Sequence, residues 1–127
     1  MELIKYVGLP YVVGETDCWQ LMRTFHREQL NNELPEYFYD VSNYMKIIES
    51  KVGEASKEAL KGWTKVTTSP QLGDIFIFVL GGFPTHCGVY LGNNNFLHTL
   101  KGTNSSIEEL SDMWKKRLIG TWRYDGR

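Results

Sequence analysis

Apolar residues at Cys18, Leu21, Met22 and Phe25 recur with the period of a helix that buries one face. The pattern predicts a helix from Cys18 to Leu30, with Arg23, Arg27 and Glu28 on its solvated side and Asn31-Asn32 as its stop. Asp17 suits the N-cap, and Gln20 follows it at capping-box spacing. His26, beside Phe25, reads as a surface histidine. Tyr44, Ile47 and Ile48 predict a second helix over 42–52, with a short third one over 54–61. From Gly73 the period changes. The unbroken run Ile75 to Leu80 is a central strand covered on both faces. Gly81 to Pro84 is a turn, Thr85 to Leu91 a second strand, and Asn95 to Thr99 a third. Ile107, Leu110 and Trp114 then predict a helix over 107–116, and Leu118 to Tyr124 a closing strand. Residues 63–68 read as a strand or extended connector, and residues 1–15 as an irregular lead-in.

Side chains alternate across a sheet, so His86, Gly88 and Tyr90 share one face and Cys87, Val89 and Leu91 the other. Gly88 leaves room beside His86 for a close neighbour, read here as a helix. The turn decides where His98 goes. A three-residue loop, Gly92 to Asn94, pairs Gly88 with His98 and puts both histidines on one face, about 7–8 Å apart at the backbone. A two-residue Asn93-Asn94 turn sends His98 to the opposite face. Periodicity leaves both open.

The chain has 127 residues, enough for one domain, 1–127, with a core of its own. A formal net charge of -1 carries no basic footprint, which excludes nucleic acid as the main partner. No apolar run reaches membrane-spanning length, so no membrane partner is expected. The N-terminus has no signal peptide, which points to synthesis in the cytoplasm. Cys18 and Cys87 make no disulfide framework, and no zinc-site spacing is present, so neither metal nor cofactor is expected. Gly81-Gly82 lacks the lysine and following helix of a phosphate loop.

The chemistry points to Cys18. At a helix start the dipole and free N–H groups favour thiolate over thiol. Amide cleavage by such a sulfur needs an imidazole to hold it ionised and to protonate the leaving amine, and a third group to orient that imidazole. Cys18, His86 and His98 come in that order, 68 and 12 residues apart. Tyr11 either packs or lends its hydroxyl to the site, packing being the plainer reading. Cys87 reads as a core residue pointing away from His86, which argues against a bridge to Cys18.

These pieces resemble the NlpC-like, papain-like cysteine peptidases that cut peptidoglycan. The resemblance rests on Pro10 to Gly14, Asp17-Cys18, Gly73-Asp74, His86 to Gly92 and Phe96-Leu97-His98. Cys18-Trp19 and the ending Arg117 to Tyr124 are similar to the phage tail branch. The segment from Gly14 to Asp17 is shorter than the family usually carries, and Cys87 replaces a valine. The resemblance implies an α+β fold, with N-terminal helices packed on an antiparallel sheet of about five strands. It implies Cys18 as nucleophile, His86 as base and acid, and His98 as the orienting residue. Tyr11 and Asp17 fall to the oxyanion and substrate side. It implies peptidoglycan peptides as substrate, other phage tail proteins as partners, and a place in a virion tail. Two alternatives stand beside it: a tail-assembly module that keeps the fold without cleaving, and a thiol amidase or acyltransferase with another substrate.

Overall fold

The computed structural model describes residues 1–34, 63–80 and 83–124, with backbone alone over 83–85. The helices expected over 42–52 and 54–61, and residues 81–82 of the expected 81–84 turn, lie outside the described residues, while Phe83 and Pro84, expected in that turn, already pair with Leu80 and Val79 as strand. Helix α1 spans Cys18–Phe25 and continues through a π-helical turn, His26–Leu30, that ends at left-handed Asn31. The strands are β1 (Trp63–Lys65), β2 (Ile75–Leu80), β3 (Phe83–Gly92), β4 (Asn95–His98), β5 (Ser106–Glu109) and β6 (Leu118–Tyr124). A short helix α2, Asp112–Arg117, leads into β6. The strands form one antiparallel sheet of six, in the order β1-β6-β2-β3-β4-β5.

The sheet is covered on both sides, and β2 divides its side chains accordingly. Ile75 and Ile77 join Leu21, Met22, Phe25, Cys87, Val89 and Leu97 in the cluster under α1. Phe76 and Phe78 join Phe96, Leu110 and Trp114 on the opposite face. All four β2 side chains are essentially inaccessible, each contributing roughly 2 kcal/mol of apolar burial.

Three further expectations change. The stretch read as a helix over 107–116 begins as strand β5, and helix starts only at Asp112. Ile107, Leu110 and Trp114 have helical spacing by coincidence: Ile107 pairs with Leu97 in the sheet and is more than a third exposed. His26 is buried, not superficial, with its Nε2 donating to the Gly73 carbonyl at 2.7 Å. It lies four residues after Met22 and so falls on the buried stripe. The room left by Gly88 is taken by β4 rather than by a helix. A Cβ there would lie 2.8 Å from the Phe96 ring and 3.2 Å from the Leu97 carbonyl.

The β3–β4 hairpin combines the two registers that the sequence offered. Its tip is a two-residue turn, with Asn93 and Asn94 both at positive φ and Gly92 paired with Asn95. A bulge between Tyr90 and Gly92 then shifts the pairing, so that Tyr90 faces Phe96 and Gly88 faces His98. The bulge undoes what the short turn alone would do, and His98 returns to the face of His86.

Candidate active site

Asp17 fixes the start of α1. One carboxylate oxygen accepts from Gln20 N at 2.8 Å and the other from Gly14 N at 2.7 Å. The same side chain thus caps the helix and ties down the turn before it, leaving Cys18 at the first helical position. The lead-in is strapped across the molecule. Gly8 N donates to the Ser105 carbonyl and Ser105 N to the Leu9 carbonyl, both at 2.8 Å, and Pro10 bridges Asn104. This strap carries Tyr11 to one rim of a cavity of about 260 Å³, lined also by Cys18, Leu80, His86, Thr99, Leu100 and Lys101. Tyr11 is half-buried there, and burial followed by the nearby Cys18 charge raises its pKa. Asp17 stands behind this lining, with both oxygens engaged by backbone.

Cys18 is 8% exposed, and its pKa is lowered to about 5. The largest cause is a hydrogen bond from the Cys87 thiol. Burial opposes it, and a hydrogen bond and charge from His86 add to it. Cys87 is wholly buried, and burial pushes its own pKa well up, so it stays a thiol able to donate. Both cysteines are free. Alternation does separate His86 and Cys87 between the two clusters, yet Cys18 meets both. The pairing of β2 slips on either side of Phe78, against β3 and against β6, and bulged pairing bends this end of the sheet. Cys87 is therefore a neighbour of the sulfur as well as a core residue.

His86 and His98 are both buried, and His86 Nε2 lies 2.8 Å from His98 Nδ1. Phe78 stacks on His86 at 5.6 Å between ring centroids, and Trp114 lies 5.0 Å from His98 and 5.8 Å from His86. Burial, reinforced by the neighbouring His86, lowers the His98 pKa and keeps that ring neutral. Beyond it lies a residue the sequence reading did not single out: Glu108, whose Oε2 accepts from His98 Nε2. Its other oxygen is 3.4 Å from Trp114 Nε1. Had 106–109 been read as a strand, alternation would have put Glu108 on the histidine face, opposite Phe96 and diagonal to His98. Cys18, His86, His98 and Glu108 thus form one continuous chain of contacts from cavity to surface. Such a chain can hold a thiolate beside an imidazole and carry its proton to a leaving group.

The sequence matches the NlpC/P60 family over residues 8–123. The chain belongs to the NlpC/P60 family. Among this NlpC/P60 chain's curated relatives is the murein DD-endopeptidase MepS/murein LD-carboxypeptidase of Escherichia coli (strain K12). It is 28% identical over 122 residues, covering 91% of this chain and 56% of the relative. Tail tip assembly protein K of Escherichia phage N15 is also 28% identical, over 116 residues covering 91% of this chain and 47% of the relative. The chain therefore spans about half the length of these two. In three dimensions it is similar to an NlpC/P60 family protein from Bacillus cereus ATCC 10987, with a TM-score of 0.64 and 21% identity. That match covers 94% of this chain and 37% of the other. Among the described residues no helix is long and apolar enough to cross a membrane.

Proposed function

We propose that this chain is a cysteine peptidase that hydrolyses amide bonds in the peptides of bacterial peptidoglycan, as a component of a phage tail. The observation that carries the reading is the meeting of Cys18 and His86 in one cavity, with the sulfur at a helix start and its pKa near 5. In this reading the Cys18 thiolate attacks the carbonyl carbon and His86 protonates the departing amine. The Cys18 backbone N–H, at the helix start, faces the developing oxyanion together with Tyr11. His98 orients His86, and water then releases the acyl group. Asp17 serves by fixing the helix start. The substrate class is supported by MepS, whose name carries murein endopeptidase activity. The tail setting is supported by the tail tip assembly proteins of phages N15 and lambda.

The test is muropeptide release from purified cell wall. Wild type is expected to release peptides and Cys18→Ala none; equal release by both overturns the proposal. The same two relatives favour a second reading, an assembly module that keeps the fold without cleaving. It predicts that Cys18 labels no faster than free cysteine and that tails fail to form without the protein.

A further inference from the structure

We propose that Glu108 is a positioning residue that sets the direction of the hydrogen bonds through both histidines, and so leaves Nδ1 of His86 bare toward Cys18. The inference rests on the reading of Cys18 and His86 as nucleophile and base. Two linked imidazoles have no inherent polarity, because each ring can donate from either nitrogen. The pair His86 Nε2 and His98 Nδ1, 2.8 Å apart, can therefore run either way. An ionised carboxylate cannot, because it only accepts. With Glu108 Oε2 against His98 Nε2, that nitrogen must carry the hydrogen. Burial keeps His98 neutral, so its Nδ1 holds a lone pair and accepts from His86 Nε2–H. A neutral His86 protonated on Nε2 is unprotonated on Nδ1, the form that takes a proton from a thiol. The reverse direction would leave a hydrogen on Nδ1 and no base for the sulfur.

Among the described residues no other group fixes the direction. The histidines are faced by Phe78 from β2, Phe96 from β4 and Trp114 from α2, none of which titrates. Arg117 from α2 lies over the outer Trp114 ring, 5.9 Å from its centroid. Across the cavity are Tyr11 and Lys101, and Cys18 and Cys87 lie on the sulfur side. Glu108 is also tethered through Trp114 Nε1, 3.4 Å from its other oxygen. It is 42% exposed, so it can be replaced without opening the core.

The experiment reads tautomers directly, by ring 15N chemical shifts of labelled histidine in the Cys18→Ala background at pH 8. There His86 and His98 are expected as single Nε2–H tautomers. Glu108→Gln, which can donate as well as accept, and Glu108→Ala are both expected to populate the reverse tautomers; Glu108→Asp is expected to restore the native set. With Cys18 present, iodoacetamide alkylation at neutral pH is expected to fall about tenfold or more in Glu108→Gln, in line with the cost of wrong-tautomer histidine elsewhere. Unchanged ring shifts and alkylation in the near-isosteric Glu108→Gln overturn the inference, whatever happens to Glu108→Ala. Neither readout uses cell wall, so a protein that fails to cut peptidoglycan yet shows the tautomer shift refutes the proposed function and not this one.

Discussion

At Cys18 two opposed effects meet. Burial of a sulfur favours the neutral thiol, whereas donors aimed at it favour the anion. The outcome near pH 5 shows that the donors win, and the largest of them is Cys87. Cys87→Val keeps a residue of similar size in the core and removes the donor. We expect the midpoint of Cys18 alkylation against pH to move upward from about 5, with folding stability little changed. His26 is the second residue whose burial matters. Its pKa is lowered from the ordinary 6.5, chiefly by desolvation. As pH falls below 6.5 the unfolded chain takes up this proton before the folded one does. The stability from neutral His26 is therefore complete above that pH and is lost as pH drops toward the folded value. His26→Gln keeps a donor to Gly73 without a titrating ring. Its melting temperature should fall less than that of wild type between pH 7 and pH 5, the remaining slope belonging in part to His98, whose pKa is also lowered.

At the scale of elements the β3–β4 hairpin sets the site. Gly88 is needed because Phe96 and the Leu97 carbonyl occupy the space of its missing side chain. Gly88→Ala is expected to cost about 1–3 kcal/mol of stability, measured by urea unfolding, and to separate the two histidine rings. Much of this was legible in the sequence. Alternation put His86 opposite in sense to Cys87, and β2 read as a strand buried on both faces. The capped start of α1 came from Asp17 and Gln20. What was not legible has physical causes. The bulge after Tyr90 leaves no mark on hydrophobic periodicity, so the face of His98 stayed open. The apolar spacing of Ile107, Leu110 and Trp114 imitates a helix, which hid β5 and with it Glu108. His26 was legible and was misread, since Met22 lies one helical turn before it.

For the whole molecule the sheet must hold its middle strands at fixed height under α1. Asp74, 1% exposed at the start of β2, receives two hydrogen bonds of 2.8 Å from Arg123 on β6 and one from Gln71 N. Arg123→Ala leaves that buried carboxylate without its cation. We expect a loss of about 3 kcal/mol in urea unfolding, and Arg123→Lys to recover only part of it because the two-pronged geometry is gone. The strap from Gly8 to Pro10 joins the other end. It ties the Tyr11 rim to Asn104 and Ser105, in the connection that also brings Thr99 to Lys101 to the cavity, so the two walls are stitched together.

The extra residue in the β3–β4 hairpin carries more than its size suggests. Regular pairing outward from the Asn93-Asn94 tip, with Leu91 set against Phe96, would instead set Val89 against His98 and turn that ring to the helix side, away from His86. A slip of one residue in that pairing would break the ring relay with every residue of the chain still present. The meeting of the two rings therefore depends on an irregularity of the backbone several residues away from either of them.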